Sequence, residues 1–311
     1  MGGVSRDARI RARIRFDVIL TGVHASVSQM LRHLAKKALE IYATRLPYHR
    51  GKWRVIEGGL RAFGIEEADR GCEFEVERHG LRWRLDPECG VQRRLYYHGV
   101  LDPYDEREFL KLVRPGSVFF DIGSYYGYYA MRAAQCGARA IAFEPASANY
   151  EILRQNVALN ADLRCETYKL ALSDSVGIAA MSIAPVNKRG NGWICAPSDG
   201  SVATEDVETT TLDVFVCEHG IDRLDALKLD VEGAECKVLA GGVETLARFR
   251  PVMLIEFNPG CLKRLGEERG TLLDLVRDFG YELWRTTHHG LVRFQRLEPG
   301  EEYCNLVCRP V

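Results

Sequence analysis

Residues 118–129 read VFFDIGSYYGYY, an apolar run that leads into a turn containing two glycines. The pattern predicts a buried β-strand that ends at Asp121, a tight turn at Gly123 and a helix that begins after Gly127. We expect glycine at both positions because a ligand would approach the backbone closely there. The N–H groups at the start of the helix would suit an anionic part of that ligand, and Ser124 lies in the same turn.

Apolar strands alternate with helical stretches from about residue 106 onward. We predict strands over residues 117–120, 140–143, 166–170, 226–229 and 252–257, and helices over residues 128–136, 147–159, 234–240 and 271–279. This alternation is typical of an α/β fold in which helices cover both faces of a parallel sheet. Ligands bind at the carboxyl ends of the strands in such sheets, so we expect the functional site there.

Polar side chains follow two further strands at that edge of the sheet. Glu144 follows the strand over 140–143 and precedes Pro145, where a carboxylate can accept hydrogen bonds from both hydroxyls of a ribose. Ser173 and Asp174 follow the next strand and could contact the base of the same nucleoside. Ser-Asp is also a common turn or helix cap, so this motif alone does not define a site.

The segment DALKLDVEGAE, residues 225–235, carries the candidate catalytic groups. Asp230 directly follows an apolar strand and faces the expected ligand site, so we predict a functional role for it. Glu232 lies just before a predicted helix, where negative charge is also favoured by the helix dipole. Further candidates for a proton acceptor are Glu256, near the end of the next strand, and the histidine pair at 288–289 in a predicted hairpin turn.

Several motifs in this order resemble the FkbM family of S-adenosylmethionine-dependent methyltransferases. The resemblance covers about residues 95–260, and it rests on FDIG at 120–123, GYY at 127–129, FEP at 143–145, ALSD at 171–174 and LKLDVEGAE at 227–235. One departure is Tyr125, where the family pattern usually has Asn. The resemblance implies a class I Rossmann-like methyltransferase fold with a seven-stranded, mostly parallel sheet, and residues 303–309 are the candidate for its antiparallel last strand.

The same resemblance implies that the protein transfers a methyl group from S-adenosylmethionine, most often to a hydroxyl of a sugar, a glycan or a secondary metabolite. The methionine end of the cofactor would contact Asp121, Gly123, Ser124 and Gly127, the ribose Glu144, the adenine edge Ser173 and Asp174, and the methyl group Asp230. If the acceptor is a hydroxyl, Asp230 or Glu232 would take its proton.

Three other functions remain open from the sequence. The acceptor could be an amine or amide of a natural product, and an amine would need less help from a base. A nicotinamide-dependent oxidoreductase would share the strand–glycine–helix pattern, but its G-x-G-x-x-G turn has a middle glycine that this chain lacks. A non-catalytic binding protein could keep a methyltransferase-like fold. No third ligand accompanies Asp230 and Glu232, so we predict no bound metal.

Charge is unevenly distributed, although the 311 residues carry a net charge of −1. Residues 1–54 contain 12 Lys or Arg and 3 Asp or Glu, so the remainder is acidic. An acidic body is unlike the phosphate-binding surface of a nucleic-acid enzyme, and we predict no nucleic-acid partner. Because no apolar run reaches about 20 residues, we predict no transmembrane segment. The ten cysteines are scattered without a C-x-x-C pair, which favours reduced thiols and a cytoplasmic protein.

We divide the chain into a loose basic arm over residues 1–29, an extension over 30–105 and the methyltransferase domain over 106–311. The extension contains a helix and then a β-hairpin over 73–85, predicted from alternating apolar and charged residues. A polar, glycine-containing loop over 186–206 is predicted to help shape the acceptor site.

The predicted helix over 30–46 is basic and amphipathic, with Leu31, Leu34 and Leu39 at helical spacing. We expect this apolar face to pack on the acidic body of the same chain. The alternative is that the helix docks on a membrane surface or on a partner.

Overall fold

The computed structural model describes residues 27–49, 51–183 and 203–311. The strands in these residues are β1 (Phe74–Arg78), β2 (Leu81–Leu85), β3 (Val118–Ile122), β4 (Arg139–Phe143), β5 (Cys165–Tyr168), β6 (Ala171–Leu172), β7 (Gly177–Ser182), β8 (Thr204–Thr210), β9 (Ala226–Leu229), β10 (Val252–Phe257), β11 (Tyr281–Thr287), β12 (Gly290–Arg293) and β13 (Cys304–Pro310). The helices are α1 (27–45), α2 (Lys52–Ala62), α3 (Ile65–Asp69), α4 (Gly90–Arg93), α5 (Pro103–Phe109), α6 (Tyr128–Gln135), α7 (Ser147–Ala158), α8 (Leu212–Glu218), α9 (Glu235–Ala240), α10 (Val243–Phe249), α11 (Pro259–Arg264) and α12 (Thr271–Asp278), and a π-helical turn over Arg94–His98 follows α4. Among the described residues, no helix has both the length and the apolar character that crossing a membrane requires.

A mixed sheet of eight strands forms the centre of the fold, in the order β12-β11-β13-β10-β9-β3-β4-β5. The strands from β10 to β5 in that order pair in parallel, whereas β13 runs antiparallel to both β10 and β11. The Rossmann-like fold class is therefore confirmed, and residues 304–310 form its antiparallel strand. The predicted number of seven strands is one short because β12 joins the sheet through a hairpin with β11.

Both faces of the sheet are covered. Phe119 belongs to one cluster of buried apolar side chains and Phe120 to another. Successive strand residues point to opposite faces, so an apolar run such as that of β3 must be covered on both sides. This explains why β3 is buried at every position.

A second, smaller sheet with the order β6-β8-β7 is absent from the sequence prediction. The strand predicted over 166–170 ends at Tyr168, and the chain then enters this smaller sheet as β6. Most of the loop predicted over 186–206 falls on residues 184–202, outside the described residues, but Thr204 already belongs to β8. Because β6 has two residues and the start of β7 is exposed, neither strand has the apolar pattern that identifies a strand in sequence.

The predicted hairpin over 73–85 is confirmed as β1 and β2. Its turn residues, 79–80, have positive φ values of 56° and 74°, as a type I′ turn requires. Trp83 is fully buried, and the amide oxygens of Asn156 in α7 and Asn160 just after it accept β2 backbone N–H groups at 2.7 Å and 2.9 Å. The extension therefore packs on the sheet-containing part of the chain. The predicted boundary between the extension and the methyltransferase domain, at residue 106, falls inside α5. The structure shows no break in the chain there, so this boundary stays a prediction.

The helix α1 begins by residue 27, so the predicted arm over 1–29 overlaps its first turn, and the rest of that arm lies outside the described residues. Leu39 packs against the core, as expected. Leu31 and Leu34, however, are 49% and 55% exposed, so the expected packing of the helix on the body is confirmed for only part of its apolar residues. The helix is apolar on two sides, and only one of them is covered.

Candidate active site

The glycines of the turn after β3 are required by contacts within the chain. A Cβ on Gly123, where φ is +84°, would lie 1.8 Å from the carbonyl oxygen of Asp230, and one on Gly127 would lie 2.6 Å from Cδ1 of Leu153. The turn is pressed against the end of β9 on one side and α7 on the other, which is a reason for glycine that the sequence did not show. The predicted approach of a ligand to both glycines stays a prediction, and Gly123 does line the cavities described below.

Asp121 and Ser124 fix this turn in place. The buried Asp121 carboxylate accepts a hydrogen bond from the backbone N–H of Ala130 in α6 at 2.9 Å. Burial raises the pKa of Asp121 to about 6, and the charge of Lys228 opposes that rise. The Ser124 hydroxyl donates to the carbonyl oxygen of Phe143 at 3.2 Å. The Asp121 side chain therefore ties the turn to α6, and the Ser124 side chain ties it to β4.

Glu144 lies buried at the end of β4. Its carboxylate accepts hydrogen bonds from the backbone N–H groups of Tyr125 at 2.9 Å and Ala146 at 3.0 Å. Burial raises the pKa of Glu144 to about 7, although these bonds favour the charged form. Burial thus disfavours the charged carboxylate of Glu144, whereas the two backbone hydrogen bonds favour it.

A first cavity opens at the carboxyl ends of β3, β4 and β9. Gly123, Glu144 and Asp230 form its polar wall, and Leu172 and Met181 form part of its apolar wall. The two apolar residues come from the small sheet that the sequence did not reveal. The Glu144 carboxylate beside this apolar wall is a combination that suits a nucleoside.

Three predicted contacts lie outside this wall. Asp174 is exposed and accepts hydrogen bonds from the hydroxyls of Ser173 and Ser175 at 3.2 Å. The backbone N–H of Ser173 donates to the carbonyl oxygen of Thr210 in β8. Gly127 also lies outside the wall. In this structure Asp174 lies in the exposed segment between β6 and β7, and Leu172 is the residue of this motif that lines the first cavity together with Ala171.

A second cavity shares Gly123, Tyr125, Asp230 and Glu232 with the first. The remaining wall is polar and aromatic, and it includes Asp121, Ser124, Lys228, Glu256, Tyr126, Tyr129, Tyr303 and Arg94. The Tyr125 hydroxyl is fixed by the extension, because it accepts a hydrogen bond from Gln92 Nε2 at 2.6 Å. Asp230 and Glu232 therefore line both cavities, so each side chain could contact one ligand in the first cavity and another in the second.

Lys228 is a buried cation of this site, and its role was not predicted from the sequence. Its side chain is 4% exposed, and its ammonium group lies 2.5 Å from the Asp230 carboxylate. Lys228 and Asp121 are also paired residues of neighbouring parallel strands. Burial lowers the pKa of Lys228, but the charges of Asp230 and Asp121 outweigh burial and raise it. The sequence feature that could have identified Lys228 is its charge within the otherwise apolar strand β9.

Two further carboxyl groups lie beside Asp230. Burial and the charge of Asp230 raise the pKa of Glu232 to about 7, and its carboxylate accepts a hydrogen bond from the Cys261 thiol at 3.1 Å. Burial and the charges of Asp230 and Glu232 also raise the pKa of Glu256. The Oε2 atom of Glu256 is buried and has no hydrogen-bond partner in the described parts of the chain.

These three carboxyl groups form a potential cation site. Asp230, Glu232 and Glu256 each place one oxygen within 4.8 Å of the others. Glu256 was predicted from the sequence as a proton acceptor but not as a third ligand, because the proximity of β9 and β10 follows from the order of strands in the sheet. The histidine pair at 288–289 is exposed in the β11–β12 turn and lines neither cavity.

Comparison with known proteins identifies the relatives of this chain. The family model described as methyltransferase FkbM domain matches residues 121–283. Methyltransferase sdnD from Sordaria araneosa is 29% identical, over 51% of this chain and 74% of that protein. The 2-O-methyltransferase NoeI from Sinorhizobium fredii (strain NBRC 101917 / NGR234) is 31% identical, over 51% of this chain and 74% of that protein. The 31-O-demethyl-FK506 methyltransferase FkbM from Streptomyces tacrolimicus is 29% identical, over 42% of this chain and 60% of that protein.

Proposed function

Because the chain belongs to the FkbM family of methyltransferases and uses S-adenosylmethionine for O-methylation, we propose that it methylates a hydroxyl of a small molecule or glycan in the second cavity. One observation carries this proposal. Asp230 and Glu232 line both cavities, so each carboxyl group would face the cofactor on one side and the acceptor on the other. Family membership also rules out the nicotinamide-dependent oxidoreductase and the non-catalytic protein. The absence of a nucleic-acid partner stays a prediction.

The first cavity fits the nucleoside part of the cofactor. Leu172 and Met181 would cover the faces of the adenine, and Glu144 would accept hydrogen bonds from the ribose hydroxyls. The turn after β3 would hold the methionine end of the cofactor. Asp121 and Ser124 would contribute by keeping the backbone of this turn in place, since their side chains are already hydrogen-bonded within the protein. When bound, the cofactor supplies an electrophilic methyl group.

The chain contributes alignment and a proton acceptor. Holding an acceptor hydroxyl in line with the methyl group is worth roughly 7–11 kcal/mol, and a general base adds about 10²–10⁴-fold in rate. Asp230 and Glu232 are the groups that would take the hydroxyl proton. The pKa of Glu232, raised to about 7, is close to the value at which a general base is most effective near neutral pH.

A direct experiment uses cofactor labelled in its methyl group and a panel of hydroxylated acceptors, including sugars and polyketide alcohols. We expect S-adenosylhomocysteine to raise the melting temperature, since a ligand that binds the folded form stabilises it. We also expect one class of acceptor to gain the label on oxygen. Label found only on nitrogen, or no stabilisation by S-adenosylhomocysteine, would contradict the proposal.

The affinity for S-adenosylhomocysteine is expected to rise between about pH 6 and pH 8. Glu144 has a pKa raised to about 7, and it must lose its proton to accept both ribose hydroxyls, so affinity should grow by up to tenfold per pH unit below that value. Calorimetric titrations of Glu144→Gln should show a flatter profile. Glu151→Gln, on the solvent side of α7, is the matched control and should keep the wild-type slope. An unchanged slope in Glu144→Gln would assign the titration to another group, such as Glu232.

We expect EDTA to leave the rate of methyl transfer unchanged. The Lys228 ammonium group already lies 2.5 Å from Asp230, and it supplies the positive charge that a divalent ion would bring to the three carboxyl groups. Initial rates with EDTA, with added Mg²⁺ and with neither test this expectation. A loss of activity on chelation that Mg²⁺ restores would mean that Asp230, Glu232 and Glu256 hold a metal.

A further inference from the structure

An apolar stripe that the described residues leave exposed runs along α1, far in sequence from the catalytic segment. Its members are five large side chains that are 42–56% exposed: Val27, Met30, Leu31, Leu34 and Ile41. Intervals of 3, 4, 7 and 14 residues bring side chains to the same side of a helix with 3.6 residues per turn. The α1 stripe therefore covers one helix face over about 21 Å, at 1.5 Å per residue.

The opposite face of α1 already packs on the body. Ala35, Leu39 and Tyr42 contact the buried apolar cluster, and a Cβ on Gly59 of α2 would lie 2.8 Å from Leu39 Cδ2. The α1 stripe is therefore additional to what the fold needs. Residues 27–63 hold ten of the sixteen exposed large apolar side chains in the described residues, so this concentration is specific to one region. Patches of this kind mark interaction sites.

Exposed basic residues lie on α1 itself and on the neighbouring helix α2. Lys37, Arg45, Arg54 and Arg61 are all exposed, and the structure records no ion pair for them within the residues it describes. The exposed acidic residue of α1 and α2 is Glu40, which is paired with Arg78 at 2.9 Å. Apolar side chains flanked by Lys and Arg are typical of helices that lie flat on anionic lipid.

We propose that the α1 stripe docks on an anionic membrane surface. The helix would lie parallel to the surface, with Leu34 and Ile41 among the acyl chains and Lys37 and Arg45 close to the lipid phosphates. A second copy of the chain is a poorer occupant, because pairing of two stripes would bring two positively charged segments together. The acidic remainder of the chain would face away from the lipid.

Sedimentation with vesicles tests this proposal on the full chain. We expect binding to vesicles of phosphatidylcholine and phosphatidylglycerol, weaker binding to phosphatidylcholine alone, and loss of binding at high salt. The double variant Leu34→Ser, Ile41→Ser should bind the anionic vesicles about tenfold more weakly or worse. The matched control is Val176→Ser, Ile178→Ser, because these side chains are 66% and 74% exposed at the start of β7, outside α1, and it should bind like the wild type.

The exposed positions allow a check that the fold is intact. Melting temperature and affinity for S-adenosylhomocysteine should be the same in both double variants and in the wild type. No binding of the wild type to anionic vesicles, or equal binding of the α1 variant, would overturn the proposal. Light scattering that shows a dimer converted to a monomer by Leu34→Ser, Ile41→Ser would also overturn it, and would assign the α1 stripe to a second copy of the chain.

Discussion

Asp230→Asn should slow methyl transfer by about 10²–10⁴-fold in single turnovers, because the amide cannot take the proton of the acceptor hydroxyl. The carboxylate lies between the two cavities and is paired with Lys228 at 2.5 Å, so the asparagine keeps the shape of the side chain but removes its charge. Affinity for S-adenosylhomocysteine should stay within several-fold of the wild type. Rapid-quench assays of single turnovers give the rate, and calorimetry gives the affinity.

Glu256→Gln is the control variant that shows whether the loss of rate in Asp230→Asn is specific to Asp230. The pKa of Glu256 is raised by burial and by the charges of Asp230 and Glu232, so Glu256 holds its proton near neutral pH and resembles glutamine. We expect its substitution to slow transfer by less than about tenfold. Equal rates for Asp230→Asn and the wild type would remove Asp230 from proton transfer. A larger effect of Glu256→Gln than of Asp230→Asn would move the role of base to Glu256.

Gly123→Ala should destabilise the protein by about 3 kcal/mol or more and abolish methyl transfer. The added carbon would lie 1.8 Å from the carbonyl oxygen of Asp230, so the turn after β3 and the end of β9 would have to separate. Both cavities share these two residues in their walls, and a shift of the backbone there displaces the catalytic carboxylate. Urea unfolding followed by circular dichroism measures the loss of stability.

Gly116→Ala separates the collision from the effect of backbone conformation. Gly116 has a φ of +79°, close to the +84° of Gly123, but a Cβ there would meet nothing within 4 Å. Its substitution should therefore carry only the penalty of a left-handed conformation, about 1–2 kcal/mol. If the two variants lose the same stability, the contact between Gly123 and Asp230 does not determine the fold.

The sequence by itself determined the family and the main parallel strands, but not the small sheet. The bounds of β9 and β10 match the predicted strands, and the hairpin over 73–85 has the predicted turn. These features are encoded by residues that are near neighbours along the chain, through apolar periodicity and turn chemistry. The ends of the parallel strands also located Asp121, Glu144 and Asp230 correctly at one edge of the sheet, because parallel strands bring their carboxyl ends together.

Only the tertiary structure decided which of these residues touch. The contact between Gly123 and Asp230, the pairing of Lys228 with Asp121 and the position of Glu256 beside Asp230 all join residues on different strands. Such contacts depend on the order of strands in the sheet, and the pattern along one strand carries no information about its neighbours. The uncovered side of α1 has the same origin, because an apolar helix face does not reveal whether another part of the chain covers it.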